Sequence, residues 1–139
     1  MTSTAKKTPT AHAPESLTGL EILERAAVAA ADKKAAGMRL LDLRGTSSYT
    51  DYFLICSGNT DRQTKAIHDS VHEALKDDFR LLPRRVEGLP EARWILMDYF
   101  DVIVHIFVPE VRDFYRLEEL WSDAPELPLP PDAVVDPVR

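Results

Sequence analysis

A chain of 139 residues is long enough for one domain with its own core and short for two. Its 45% hydrophobic and 29% charged residues are the balance of a water-soluble protein, and no apolar run approaches the roughly 18 residues that span a bilayer, which argues against a membrane protein. The net charge of −6 lacks the basic surplus of a protein held mainly by phosphate backbones and favours a basic protein partner, while the single cysteine, Cys56, excludes an internal disulfide and fits a reducing, cytoplasmic setting.

The acidity runs through the chain, since residues 15–121 carry 14 basic against 19 acidic side chains. Residues 1–14 are small, polar and broken by proline, and residues 122–139 hold five of the ten prolines. Both are expected as disordered tails around one domain over residues 15–121, because they offer little apolar surface to offset ordering entropy. The Thr/Ser/Lys-rich start lacks the arginines of an organelle transit peptide, so a plain tail is the better reading.

Thr18 and Glu21 make a capping-box signal, after which Leu20, Leu23, Ala27, Ala30 and Ala31 recur at helical spacing, with Gly37 as a candidate stop. Leu41 and Leu43 alternate around Asp42 in a short strand ending at Arg44-Gly45. Tyr52 to Cys56 is uninterrupted apolar sequence, as in a central strand covered on both faces. Thr60 and Gln63 open a second helix whose inner face is Ala66, Ile67, Ser70, Val71, Ala74 and Leu75. Leu82 to Val86 reads as a strand that Pro83 confines to an edge or a strand start. Two strong strands follow, Arg93–Tyr99 and Val102–Val108, and Pro109 can begin a last helix ending near Trp121. The order α-β-β-α-β-β-β-α predicts an α/β domain with one mixed β-sheet and packed helices.

The two residues Phe100-Asp101 between the last strands set the hairpin register by counting outward from Tyr99 opposite Val102. One side then carries Ile95, Met97, Tyr99, Val102, Val104 and Ile106 and is core. The other pairs Trp94 with Phe107, Leu96 with His105, and Asp98 with Ile103. That face is too apolar to leave in water without cause and too polar for a dry core, which points to docking, with an ordinary covered core as the competing reading. A slip of one residue would exchange the two sides.

Catalytic signals are weak. Cys56 closes a buried strand with no basic neighbour in sequence, so it reads as an inert core thiol and not a nucleophile served by His105 or His68. Asp98 and Asp101 read as solvated turn carboxylates before a metal pair, and His68 with His72 as a solvated helix face before a ligand pair. Ser57-Gly58-Asn59-Thr60 joins a strand to a helix without a Gly-Lys-Thr or Gly-x-Gly-x-x-Gly pattern, so a capped tight turn is preferred to an anion site.

Several separated motifs together resemble the ribosomal silencing factor family, also called Iojap-like. They are Asp51-Tyr52-Phe53-Leu54-Ile55-Cys56-Ser57-Gly58-Asn59-Thr60-Asp61-Arg62-Gln63, then Glu87-Gly88, Trp94-Ile95-Leu96-Met97-Asp98-Tyr99, Asp101-Val102-Ile103-Val104-His105-Ile106-Phe107 and Tyr115-Arg116-Leu117-Glu118-Glu119-Leu120-Trp121. The resemblance spans about residues 17–121 and implies a nucleotidyltransferase-like fold used as a scaffold without catalytic residues, cofactor or metal. Active members of that superfamily carry Gly-Ser followed by an Asp-x-Asp pair, whereas this chain has Ser57-Gly58 and no Asp-x-Asp. The resemblance further implies docking on the large ribosomal subunit, chiefly on its fourteenth protein, with ribosomal RNA nearby, so that the small subunit cannot join and translation falls under nutrient limitation.

Trp94, Leu96 and Asp98 lie in the motif that the family associates with this contact. Ile103, His105 and Phe107 share their face, and Phe100 stands where the family has glycine, as a contact or the sign of a wider turn. Two alternatives remain at this point, a large-subunit assembly factor using the same contact and a nucleotide-binding enzyme. The apolar strand face is also one through which the free protein could form a homodimer.

Overall fold

The structure is a computed structural model and describes residues 17–134. The expected N-terminal tail, residues 1–14, lies outside the described residues, as do residues 135–139.

Helix α1 (Gly19–Asp32) opens with the full reciprocal box, in which Thr18 Oγ1 accepts from the Glu21 N–H at 3.1 Å and Glu21 Oε1 from the Thr18 N–H at 3.0 Å. Its buried face is Ile22, Leu23 and four alanines, which let a neighbour approach closely. Strand β1 (Ala36–Asp42) and β2 (Tyr52–Ser57) pair antiparallel. Helix α2 (Asp61–Phe79) then packs beside α1, where Ser70 Oγ donates to the Ala29 carbonyl at 2.8 Å. Thr60 caps it through the Gln63 N–H, but Gln63 turns its own amide to the Asn59 N–H and to the Lys33 and Lys34 carbonyls. The expected second box is thus half formed, and its other half ties α2 to the end of α1.

Edge strand β3 (Arg85–Glu87), β4 (Trp94–Asp98) and β5 (Val102–Phe107) follow, then helices α3 (Pro109–Tyr115) and α4 (Leu117–Leu120), the short strand β6 (Glu126–Leu127) and a final 3₁₀ turn, Pro131–Ala133. The six strands run in the order β3-β4-β5-β2-β1-β6, and β2 with β5 is the parallel pair. Helices α1 and α2 cover one face over Leu40, Leu54, Cys56, Ile95, Met97, Val104 and Ile106. Each fully buried aliphatic or aromatic side chain there contributes about 1.5–3 kcal/mol. The opposite face holds a smaller cluster of Leu41, Leu43, Phe53, Ile55, Ile103 and Phe107 under Leu117, Trp121 and Ala124.

Three expectations need correction. Gly37 does not stop a helix, because α1 ends at Asp32 and Lys34, at φ 64°, makes the turn. Gly37 instead sits inside β1 at φ 56°, where the β1–β2 register is irregular. The last helix is broken by Arg116 in a left-handed conformation. The break has a use, since residues six apart in an unbroken helix lie about 240° round from each other and could not meet, whereas Arg112 Nε and Glu118 Oε2 are 2.7 Å apart.

The proline-rich segment from Ser122 is also no loose tail as far as Val134. β6 pairs with β1, Arg39 makes two hydrogen bonds to Glu126 at 3.1 and 2.8 Å, and Leu127, Leu129 and Ala133 pack on the main core. Proline count obscured the alternation of Leu127 and Leu129, and proline is tolerated at a sheet edge, where its missing N–H is not required.

Candidate docking site

The hairpin register is as counted from the turn. Trp94 lies opposite Phe107, Leu96 opposite His105 and Asp98 opposite Ile103. Phe100 does not widen the turn. Its φ of 81° and the Asp101 N–H on the Tyr99 carbonyl at 3.0 Å make a γ-turn about Phe100, and the Tyr99 N–H on the Val102 carbonyl at 2.9 Å closes the two-residue loop. Such a φ is unfavourable for a bulky residue. Asp98 holds it in place, its Oδ1 accepting the Phe100 N–H at 2.8 Å.

The face is layered, and the seven expected contact residues divide between its layers. Ile103, His105 and Phe107 are buried and form the floor, so they are not exposed contacts. Asp98 is also buried, at 2% exposure, and is no solvated turn carboxylate. Its Oδ2 receives Arg84 Nε at 3.2 Å and Arg85 Nε at 3.5 Å. Trp94 and Leu96 are half-buried and form the outer strip, and Phe100 at its end is 46% exposed. The Trp94 ring packs at 4.8 Å from Phe107 and 5.0 Å from Tyr115. Its Nε1–H donates to His105 Nδ1 at 3.1 Å.

That bond places the proton of a neutral His105 on Nε2, which is buried with no hydrogen-bond partner, and the imidazole meets the Phe53 ring edge-on, 4.7 Å between centroids. Burial pulls the imidazole down to about pKa 4, against a small opposing pull from Glu118. The indole N–H is thus spent internally, and what Trp94 leaves uncovered is apolar ring surface.

Sequence reasoning missed Arg112, Phe114 and Tyr115. Arg112 is the bolt of this face, with Nε on Glu118, Nη1 on Ser57 Oγ at 2.8 Å and Nη2 on the Gly37 carbonyl at 2.8 Å. Burial works to raise the Glu118 carboxyl, but the Arg112 hydrogen bond, a backbone hydrogen bond and the charges of Arg112 and Arg39 together hold it below its ordinary value. Tyr115 stands exposed beside Trp94, and exposed Phe114 packs edge-on against Tyr115. A helix of seven residues is too short for periodicity to assign its faces, so the FY pair carried the only signal.

The groups weighed for chemistry are committed elsewhere. Cys56 is wholly buried on the α1/α2 side, its thiol pushed up to about 12 by burial, and the sheet separates it from His105. At Ser57-Gly58-Asn59-Thr60, Arg112 occupies the Ser57 hydroxyl, and the Gly58, Asn59, Gln63 and Thr64 N–H groups bond to Phe107, Gln63, Thr60 and Thr60. His68 is buried beside Asp69, 2.8 Å from Nδ1 to Oδ1, and not solvated as expected. Among the described residues no group of three His, Cys, Asp or Glu is placed to hold a metal ion, and no helix is long and apolar enough to cross a membrane.

Fold and face together define a mixed α/β domain with one sealed sheet face and one partly open aromatic face. The chain belongs to the ribosomal silencing factor family, whose model, described as ribosomal silencing factor during starvation, matches residues 16–138. It is 45% identical over 104 residues to ribosomal silencing factor RsfS of Bacillus subtilis, covering 75% of this chain and 87% of that protein. It is 35% identical over 79 residues to mouse mitochondrial assembly of ribosomal large subunit protein 1, covering 53% of this chain and 33% of that protein. The crystal structure of protein CV0518 from Chromobacterium violaceum superposes with a TM-score of 0.74 at 33% identity, over 76% of this chain and 88% of that one.

Proposed function

We propose that the chain docks on the large ribosomal subunit, chiefly on its fourteenth protein, and excludes the small subunit by its bulk, so repressing translation when nutrients are short. Family membership supports the ribosomal setting. The observation that carries the docking face is the Trp94–Leu96 strip, left half-covered between α3 and edge strand β3 while the central strands β2 and β5 are buried throughout. Trp94, Leu96 and Phe100 make the contact, joined by Tyr115, and Asp98, Ile103, His105 and Phe107 fix their positions from behind. Apolar surface at the centre of an interface carries most of its affinity.

The test is sedimentation of purified subunits with the protein and with Trp94→Ala. Truncating a central Trp costs about 2 kcal/mol, some thirtyfold in affinity. The expected result is co-migration with the large subunit and fewer joined ribosomes, both weakened in the variant. Equal binding by Trp94→Ala would discard the face.

A second reading, assistance in large-subunit assembly through the same contact, is favoured by similarity to the mouse protein named for mitochondrial assembly of the ribosomal large subunit. Binding without any effect on joining, with precursor subunits accumulating in a deletion strain, would select it.

A further inference from the structure

In this acidic chain one stretch, Phe79 to Val86, holds three arginines and no acid. Arg84 and Arg85 stand at the β3 edge of the sheet, and exposed Arg80 precedes them in the chain at the end of α2. Arg80 is the left-handed C-cap of α2, and Arg84 and Arg85 lead into β3. The acids just before them are turned to other use, since Asp77 and Asp78 line the groove between α1 and α2 and Asp78 is paired with Arg25.

Asp98 and Glu87 are the carboxylates that the arginines reach, and they do not use up the guanidiniums. Arg84 and Arg85 both put Nε on the single Asp98 Oδ2, and Arg85 Nη1 lies 3.4 Å from Glu87. The Arg84 Nη groups and the whole Arg80 guanidinium have no carboxylate partner among the described residues. Arg84 and Arg85 are more than half exposed, and the Arg84 guanidinium lies 4.5 Å over the exposed Phe100 ring, with exposed Leu82 beside them in the chain.

We propose that this edge grips an RNA phosphate backbone next to the docking face, with Arg80 and Arg84 as the phosphate contacts and Phe100 as the platform that orients Arg84. The planar fork of donors on arginine matches phosphate oxygens, and stacking on a ring pre-orients it. Exposed guanidiniums beside an exposed aromatic are the footprint of nucleic-acid contact. The overall negative charge confines that contact to this edge and makes it secondary to the apolar docking. The proposal rests on the ribosomal reading above, where RNA is the abundant polyanion near any docked protein.

The experiment measures affinity for intact large subunits between 50 and 200 mM KCl, using the full chain, Arg80→Gln/Arg84→Gln and Trp94→Ala. Arg85 is kept so that buried Asp98 retains a partner, and circular dichroism checks each fold. Each lost phosphate contact lowers the slope of log affinity against log salt by about 0.7–0.9, so the double variant should lose roughly tenfold more affinity at 50 mM than at 200 mM. Arg80→Lys/Arg84→Lys should restore most of the slope, and Trp94→Ala should weaken binding at every salt with the slope kept.

An unchanged slope in the double glutamine variant overturns the proposal. Unchanged binding by Trp94→Ala overturns the docking face instead and leaves the slope comparison readable. Photocrosslinking from Leu82→p-azidophenylalanine separates the polyanions: label in RNA supports the proposal, and label confined to an acidic protein, or absent, overturns it.

Discussion

The two faces of the sheet are cut from the same strands, yet they are sealed in different ways. On the α1/α2 face, long amphipathic helices with their own caps lie over aliphatic side chains, and the Arg25–Asp78 pair that joins them is partly exposed, where an ion pair contributes little. On the other face, the broken pair α3–α4 is only eleven residues from end to end after Pro109 is counted out and stays down through Arg112. A helical segment this short is marginal without tertiary contacts. The difference teaches that a cover too short to seal by area is held at points, and it leaves the Trp94–Leu96 strip beside it half-covered.

The largest expected break in that comparison is Arg112→Met. Removing one partner of a mostly buried ion pair leaves Glu118 uncompensated and costs about 3–5 kcal/mol. Hydrogen exchange should rise across α3 and α4 and β6 well before α1 and α2, and uniform loss of protection would contradict the division into two seals.

His105 separates the faces by pH. Its folded pKa of about 4 lies below the ordinary 6.5, so the unfolded chain binds its proton first as pH falls. Its stability contribution is therefore complete above about pH 6.5 and declines on going down to pH 4, by roughly 3 kcal/mol. Urea unfolding of the parent and of His105→Phe at the two pH values should show this slope in the parent and a flatter one in the variant. An equal slope in both would mean that the imidazole is not neutral in the folded protein.

Gly37→Ala tests the same anchor from its far side. An added Cβ would lie 3.0 Å from Arg112 Nη1 on a backbone at φ 56°. The left-handed conformation alone costs about 1–2 kcal/mol, which thermal or urea denaturation would read. The smallest effect is Phe100→Gly, expected to raise stability by under about 1 kcal/mol, since relief of the positive φ is partly offset by unfolded-chain entropy. The same variant should lose the Arg84 stack, so salt-dependent binding and stability should move in opposite directions.

Much of this fold was legible from local pattern. The caps at Thr18 and Thr60, the unbroken apolar run of β2 and the alternation of β4 and β5 are fixed by residues within a turn or a strand of one another. Counting from the two-residue turn therefore placed Trp94, Leu96 and Asp98 on one face with Phe107, His105 and Ile103, even with Phe100 in a position that disfavours it. Periodicity names a face but not its cover. That His105 and Asp98 lie buried was decided by Phe53 on the one and by Arg84 and Arg85 on the other, none of which belongs to the hairpin.

The C-terminal segment shows the same limit, because its prolines suggested disorder where pairing with β1 supplied a fold. Arg112 is the clearest case. It joins Ser57 and Gly37, which lie 55 and 75 residues earlier in the chain. Local sequence determined the strands and their sides, because those follow from interactions between near neighbours. The tertiary structure alone decided which side stays open, because that depends on where one guanidinium finds its acceptors across the sheet.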